Sequence, residues 1–272
     1  MTHRPRRATD VMCTLTLMRC ENATGPALRV ECNRDESRLR PPARSPEVRT
    51  AGHRRIVMPV DPVSDGTWIG ANDAPLVAVL INVYARSLTR DELIALAQRD
   101  PPPPSRGRIV PHVLAGGTVD EALARAQQLD LKRYDPFRLV VADAGRYVHL
   151  LWSGDNLTVD PIADFAQPLF FTSSALGDEV VADPRRELFD HSFFGSACDP
   201  AAQDGFHRHV WPGREFASVW MTRPEARTVS ITTVELDAHG ARMTYEARAA
   251  ENPETAELTP AESVSLDASS RH

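Results

Sequence analysis

Period-two hydrophobicity opens the first patterned segment and commits the chain to a sheet. Cys13, Leu15 and Leu17 share one side of an extended strand, with Thr14 and Thr16 on the other. Glu21 to Pro26 (ENATGP) is turn material, and Leu28, Val30 and Cys32 then alternate again. Two alternating runs about a turn predict a β-hairpin. Such a hairpin returns the end of its second strand, Asn33-Arg34-Asp35-Glu36, to the neighbourhood of Cys13.

Further strands are predicted over 76–84, 137–142, 147–152, 169–172, 216–221, 228–236 and 241–247. Helices are predicted over 89–99 and 118–129, each opened by a capping box (Thr89 with Glu92, Thr118 with Glu121), and over 183–194, where Asp183 and Pro184 suit a helix start. Arg38 to Arg49 is polar, carries Pro41, Pro42 and Pro46, and reads as loop. Strands grouped at the two ends with helices between them favour an α+β architecture of layered sheets. One domain is expected over 13–250. Residues 1–12 read as a disordered leader or a start assigned too far upstream, and 251–272 as a disordered tail.

Several function classes drop out. The chain of 272 residues carries 31 basic and 37 acidic residues, net -6, so it lacks the basic field of a nucleic-acid binder. No apolar run approaches the ~18 residues of a membrane span. Lys132 is the sole lysine, leaving one amine for Schiff-base chemistry, and neither GxxxxGK[ST] nor GxGxxG occurs. The four cysteines, Cys13, Cys20, Cys32 and Cys198, form no CxxC pair, so a disulfide framework is not expected and a reducing, cytoplasmic setting is. His191, Cys198, His207 and His209 lie in a Gly- and Pro-flanked segment and are not read as a zinc site.

Cys13 follows Met12. If Met12 is removed, Cys13 becomes residue one and carries a free α-amine. An α-amine titrates near ~8 and a thiol near ~8.5, so the amine can accept the thiol proton. The nucleophile then brings its own base. An arginine close by favours the thiolate, and a carboxylate orients the α-ammonium. Against this stands the ordinary fate of each part: a buried packing cysteine and a solvated Arg–Asp turn.

The start Met12-Cys13-Thr14-Leu15, followed by Asn33-Arg34-Asp35-Glu36 and Arg38, resembles the NRDE proteins, also called the transport-and-Golgi-organisation protein 2 family. Gly66-Thr67-Trp68-Ile69-Gly70 is similar to that family's GTWLG, Ser105-Arg106-Gly107 to its SRG, and Tyr134 to Asp143 to its YNGFNLIAAD. Asn82 and the Arg227-Thr228 pair before Val229 fall in the matching order, and the similarity runs from Met12 to about Ala247. The family is in turn similar to cysteine N-terminal-nucleophile hydrolases of the choloylglycine and penicillin V acylase type. The resemblance implies a four-layer αββα sandwich and cleavage of a non-peptide C–N amide bond in a small molecule. It implies Cys13 as nucleophile, Arg34 and Asp35 beside it, Asn82 as oxyanion donor and Arg227 as support. Trp68, Asn33 and Ser174 would contact substrate, Ser174 standing where the family carries an asparagine. No metal or cofactor is implied for the hydrolase. The alternative implied by the resemblance is a non-catalytic carrier of haem or a lipid metabolite on the same scaffold, with axial ligands drawn from the histidines.

Overall fold

The computed structural model describes residues 13–84, 92, 95, 99, 102–174, 176, 178–193, 195, 198–249 and 257–269. The hairpin is β1 (Cys13–Asn22) and β2 (Gly25–Ser37), closed at Asn22–Gly25. A meander follows: β3 (Arg44–Ala51), β4 (Arg54–Val60), β5 (Ile69–Asn72) and β6 (Val77–Asn82). Helices α1 (Ile109–Val113) and α2 (Val119–Gln127) precede β7 (Phe137–Ala142), β8 (Arg146–Trp152), β9 (Leu157–Val159), β10 (Ala163–Asp164) and β11 (Leu169–Thr172). Then come α3 (Asp183–Ser192), α4 (Pro200–His207), β12 (Ala226–Asp237), β13 (Gly240–Ala247) and β14 (Glu262–Asp267).

Two antiparallel sheets form. One has the order β11-β1-β2-β12-β13-β14, and the other β10-β8-β7-β6-β5-β4-β3 with β9 beside β8. Alternation decides what each face does. Leu15, Leu17, Leu28 and Val30 from the first sheet meet Val57, Ile69, Val77 and Val79 from the second, forming the central core. The outer face of the second sheet buries Ile56, Met58, Ala78 and Leu139 under Ile109, Val110, Val113 and Val119 of α1 and α2. The outer face of the first buries Met18 and Phe170 under Phe189 and Phe206 of α3 and α4. The layers are therefore α, β, β, α, as expected. Among the described residues no helix is long and apolar enough to cross a membrane.

The Thr118 cap of α2 is present, its Oγ1 accepting from Glu121 N at 3.1 Å. The helix expected over 89–99 lies largely outside the described residues. Other expectations are corrected. Arg44–Ala51 is a strand rather than loop, because Pro46 sits at the irregular Arg44–Glu47 step of an edge strand, where no ladder bond is needed from it. Residues 216–221 are turns rather than a strand: Ala217 and Trp220 N–H bond to Arg214 and His209 carbonyls, and the Ala217 and Ser218 carbonyls go to Arg185. The tail expected to lack order includes β14, whose Leu266 is buried on the central core.

Cysteine usage is also corrected. Cys20 and Cys198 form a disulfide that ties β1 to the start of α4. The partners are 178 residues apart, so no local spacing announces them. Replacing both by alanine is expected to lower stability by about 2–4 kcal/mol, chiefly by freeing the unfolded chain. Urea unfolding of the double variant against the oxidised protein measures this; equal midpoints would contradict it.

Candidate active site

Cys13 begins β1 and is buried in the central core. Its cross-strand partner on β2 is Arg34. Alternation along β2 puts Cys32, Arg34 and Glu36 on the Cys13 face, and Asn33 and Asp35 on the opposite face under the helices. Thus the structure brings Arg34 to Cys13 and takes Asn33 and Asp35 away from it.

Arg34 is held on all sides. Its Nη2 donates to Glu36 Oε2 at 3.0 Å and to Asp61 Oδ2 at 2.6 Å, and its Cζ lies 4.5 Å from the centroid of the Trp68 ring. Arg40 closes the network, donating to both Asp61 oxygens at 2.7 and 3.0 Å. Burial raises the Asp61 carboxyl, but Arg40 and Arg34 outweigh it and hold the group down to about 2. Burial pushes Glu36 up despite the same two arginines. Two guanidiniums and two carboxylates therefore form a nearly neutral buried square, which fixes the Arg34 guanidinium at the position across from Cys13.

Trp68 is carried to this point by a close backbone approach. A Cβ on Gly66 would lie 2.7 Å from the Gly107 carbonyl carbon, and Thr67 N donates to Gly107 O at 3.0 Å. The GTWIG and SRG segments are thereby clasped together. Arg106 of the second donates to Pro136 O at 2.6 Å and interacts electrostatically with Cys13.

On the other flank, Thr172 of β11 pairs with Thr14. Ser173 N and Thr172 Oγ1 both donate to Cys13 O at 3.2 Å. Ser174 Oγ accepts from Leu176 N at 3.0 Å, which leaves its own O–H to donate. Cys32 lies diagonally from Cys13. A hydrogen bond to the Cys13 sulfur, with burial, pushes the Cys32 thiol well up, so it stays protonated beside Cys13. Three polar atoms at this spot have no hydrogen-bond partner among the described residues although all are buried: Arg34 Nη1, Trp68 Nε1 and Ser173 Oγ.

Asn82 ends β6 in register with Phe137, one residue beyond Ile81, which packs in the cluster holding Cys13. Among the described residues no hydrogen bond joins Asn82 to Cys13. Arg227 stands opposite Glu36 across β12 and β2. The register between those strands slips at Val229, so Thr228 faces Asp35 on the helix side while Ser230 faces Arg34 on the Cys13 side.

Asn33, expected to touch substrate, instead ties α4 to the sheet. Its Nδ2 donates to His207 O at 2.8 Å and to Val219 O at 2.9 Å, and its Oδ1 meets His207 Nδ1 at 2.8 Å. His207 Nε2 meets Thr16 Oγ1 at 2.7 Å, and burial holds the ring well below its ordinary pKa. Both ring nitrogens are thus engaged, and Cys198 is spent in its disulfide.

Asp35 sits directly behind the site. Thr228 Oγ1 donates to it at 2.5 Å. Below β1, fully buried Arg185 donates to Thr14 Oγ1 at 2.6 Å, to Ala217 O at 3.0 Å and to Ser218 O. Burial lowers Arg185 to about 10 and raises Asp35 from 3.8 to about 6, in spite of the attraction between them. The folded protein holds the Asp35 proton more tightly than the unfolded chain, so the contribution is fully present below about pH 4 and is lost as pH rises through about 6. Asp35→Asn is expected to remove a fall in stability on the order of 3 kcal/mol across that window. Unfolding free energies at pH 4, 5, 6 and 7 in both proteins test this, and identical slopes would contradict it.

A family model described as Transport and Golgi organisation 2 matches residues 12–178. A search of curated proteins found no match. Among solved structures, a Caenorhabditis elegans N-acylethanolamine-hydrolyzing acid amidase ortholog aligns with a TM-score of 0.53 and 16% identity, over 81% of this chain and 92% of that one. A conjugated bile acid hydrolase variant from Clostridium perfringens aligns with a TM-score of 0.48 and 13% identity, over 93% and 92%. The sandwich is thus the fold of N-terminal-nucleophile hydrolases, and with its sequence matched from the residue before Cys13 through β11, the chain belongs to the Transport and Golgi organisation 2 family.

Proposed function

We propose that the protein is a cysteine amidohydrolase acting on a small acylated amide. The observation that supports this best is the cross-strand pair of Cys13 and Arg34 at the head of β1, with Arg34 pinned by Glu36, Asp61 and Trp68. A fixed guanidinium beside a sulfur lowers the cost of the thiolate.

In the proposed reaction, release of residues 1–12 frees the α-amine of Cys13. The amine takes the thiol proton, and the sulfur attacks the amide carbonyl carbon. The charged oxygen of the tetrahedral intermediate is met by Asn82 and by hydroxyls at Ser173 and Ser174. The C–N bond breaks as the α-ammonium returns its proton to the leaving nitrogen. Water, deprotonated by the same amine, then attacks the thioester carbon. The C–S bond breaks, giving a carboxylic acid and the thiol. Arg34 Nη1, Trp68 Nε1 and Ser173 Oγ gain partners once a polar substrate group enters. Arg227 supports Glu36 from β12. The orientation of the α-ammonium, given to Asp35 by the resemblance, passes in this reading to the carboxylates on the Cys13 face.

The test is hydrolysis of a panel of N-acyl amides by protein produced with Met12 as its first residue. Equal amounts of acid and amine, from protein whose intact mass lacks Met12, are expected. Loss of Met12 with no turnover across the panel would overturn the reading.

A further inference from the structure

The proposed reaction uses Ser173 at the end of β11 and leaves unused the next residue on that face, Phe171, with the histidine that stacks on it. Phe171 pairs with Leu15 across β11 and β1. It therefore shares the inner face of the first sheet with Cys13 and Ser173, about 7 Å along the strand from Ser173. On the facing sheet, β8 buries Val148, Leu150 and Trp152 under the helices and turns His149 and Leu151 inward. The His149 ring centroid lies 5.1 Å from that of Phe171, with the planes 32° apart. The two sheets do not seal at this flank: His149, Leu151 and Phe171 stay partly exposed, whereas Leu15 beside them is fully buried. A substrate extending from Cys13 along β11 passes this point.

His149 is oriented from outside. Its Nδ1 lies 2.8 Å from Asp160 Oδ2, and Asp160 N donates to His149 O at 3.0 Å. An ionised carboxylate has no proton to give, so Nδ1 carries the hydrogen and donates it. Burial holds the ring below its ordinary pKa, and Arg138 on β7 adds to this against the pull of Asp160. A neutral ring with its hydrogen on Nδ1 leaves Nε2 as an acceptor. Nε2 is buried and has no hydrogen-bond partner among the described residues. Arg138, whose Cζ lies 5.3 Å from the Phe171 ring centroid, does not supply one. A buried acceptor left unmet is unfavourable, and a donor arriving with a ligand removes that cost.

We propose that His149 determines specificity: Nε2 accepts a hydrogen bond from a hydroxyl that the substrate carries where it passes Phe171. This rests on the amidohydrolase reading and adds a substrate class to it, an amide with a hydroxyl a few bonds from the scissile carbonyl rather than a plain alkyl amide. The acyl chain and the amine half are the two sources of such a hydroxyl, and matched probes separate them. Asp160 is a positioning residue, since it fixes which ring nitrogen faces inward.

The test uses two pairs of N-acyl amides, one pair differing by a hydroxyl on the acyl chain and the other by a hydroxyl on the amine half. Isothermal titration calorimetry on Cys13→Ala protein reads binding without turnover. In one pair the hydroxylated member is expected to bind about tenfold more tightly than its deoxy partner, the worth of one hydrogen bond to an otherwise unmet group. Adding His149→Phe, which keeps a flat ring against Phe171, is expected to bring that ratio to about one while the deoxy member binds as before. His149→Gln, which keeps a hydrogen-bonding end, is expected to recover part of the ratio. With Cys13 present, His149→Phe is expected to raise KM for the hydroxylated member about tenfold and to leave kcat nearly unchanged. A purely structural role would weaken both members alike. Three outcomes overturn the inference: no binding of any probe at millimolar concentration, equal binding within both pairs, or a ratio that His149→Phe leaves unchanged. A tenfold ratio lost in His149→Phe, together with no turnover when Cys13 is present, would sink the hydrolase reading and leave the role of His149 standing.

Discussion

Cys13→Ala is expected to abolish acyl transfer, with amide hydrolysis reduced by ~10⁴-fold or more, the scale seen when the nucleophile of a catalytic unit is removed. The folded state should barely notice. Cys13 begins its strand, its backbone bond to Ser173 survives the substitution, and one small side chain is exchanged for a slightly smaller one. An effect on turnover far larger than that on stability separates a nucleophile from a packing cysteine. Covalent labelling by an acylating probe should vanish in parallel. Cys32, buried and held protonated, should not take the label in place of Cys13. Labelling that persists in Cys13→Ala would contradict the assignment.

Arg34→Met is expected to cost both stability and activity. The substitution strips the shared guanidinium from Glu36 and Asp61 and leaves Arg40 facing two buried carboxylates. Breaking a buried ion network from one side costs about 3–5 kcal/mol, because the stranded charge remains out of water. Arg34 and its two partners are each about 5–6% exposed, so water provides little screening. Loss of the guanidinium from the position across from Cys13 should also lower turnover. Arg34→Lys keeps a charge that Glu36 and Asp61 can share but lacks the flat guanidinium that lies over Trp68, so it should recover part of the activity and less of the stability. Urea unfolding and turnover rates of the three proteins check this. An Arg34→Met variant as stable and as active as the wild type would contradict it.

How much of this the sequence carries differs from residue to residue. The hairpin was legible because Cys13, Leu15 and Leu17 alternate cleanly and ENATGP can only turn. The same alternation already separates Arg34 from Asn33 and Asp35, since neighbours on a strand point oppositely. Other parts had no local signal. The slip at Val229, which turns Ser230 and Thr228 to opposite faces, depends on the partner strand. Asp61 sits in a loop motif with nothing to mark it, and it joins Arg34 only through the approach of β4 to β2 across the two sheets. Ser173 lay within the matched segment, but its contact with Cys13 O comes from the pairing of β11 with β1, 158 residues apart. The Cys20–Cys198 bond likewise follows from α4 packing on the sheet. In β14 the signal existed: Val264 and Leu266 alternate with Ser263 and Ser265, but a polar, Glu-rich setting outweighed two apolar residues.

The central claim is tested most directly by intact-mass and peptide mapping of two matched proteins treated with one acylating probe. One begins at Cys13 after Met12 is removed, and the other retains residues 1–12. A single acyl adduct on the Cys13 sulfur of the first, and none on the second, is the predicted result. Equal adduct formation on both, or an adduct on any other residue of the first, would contradict the account.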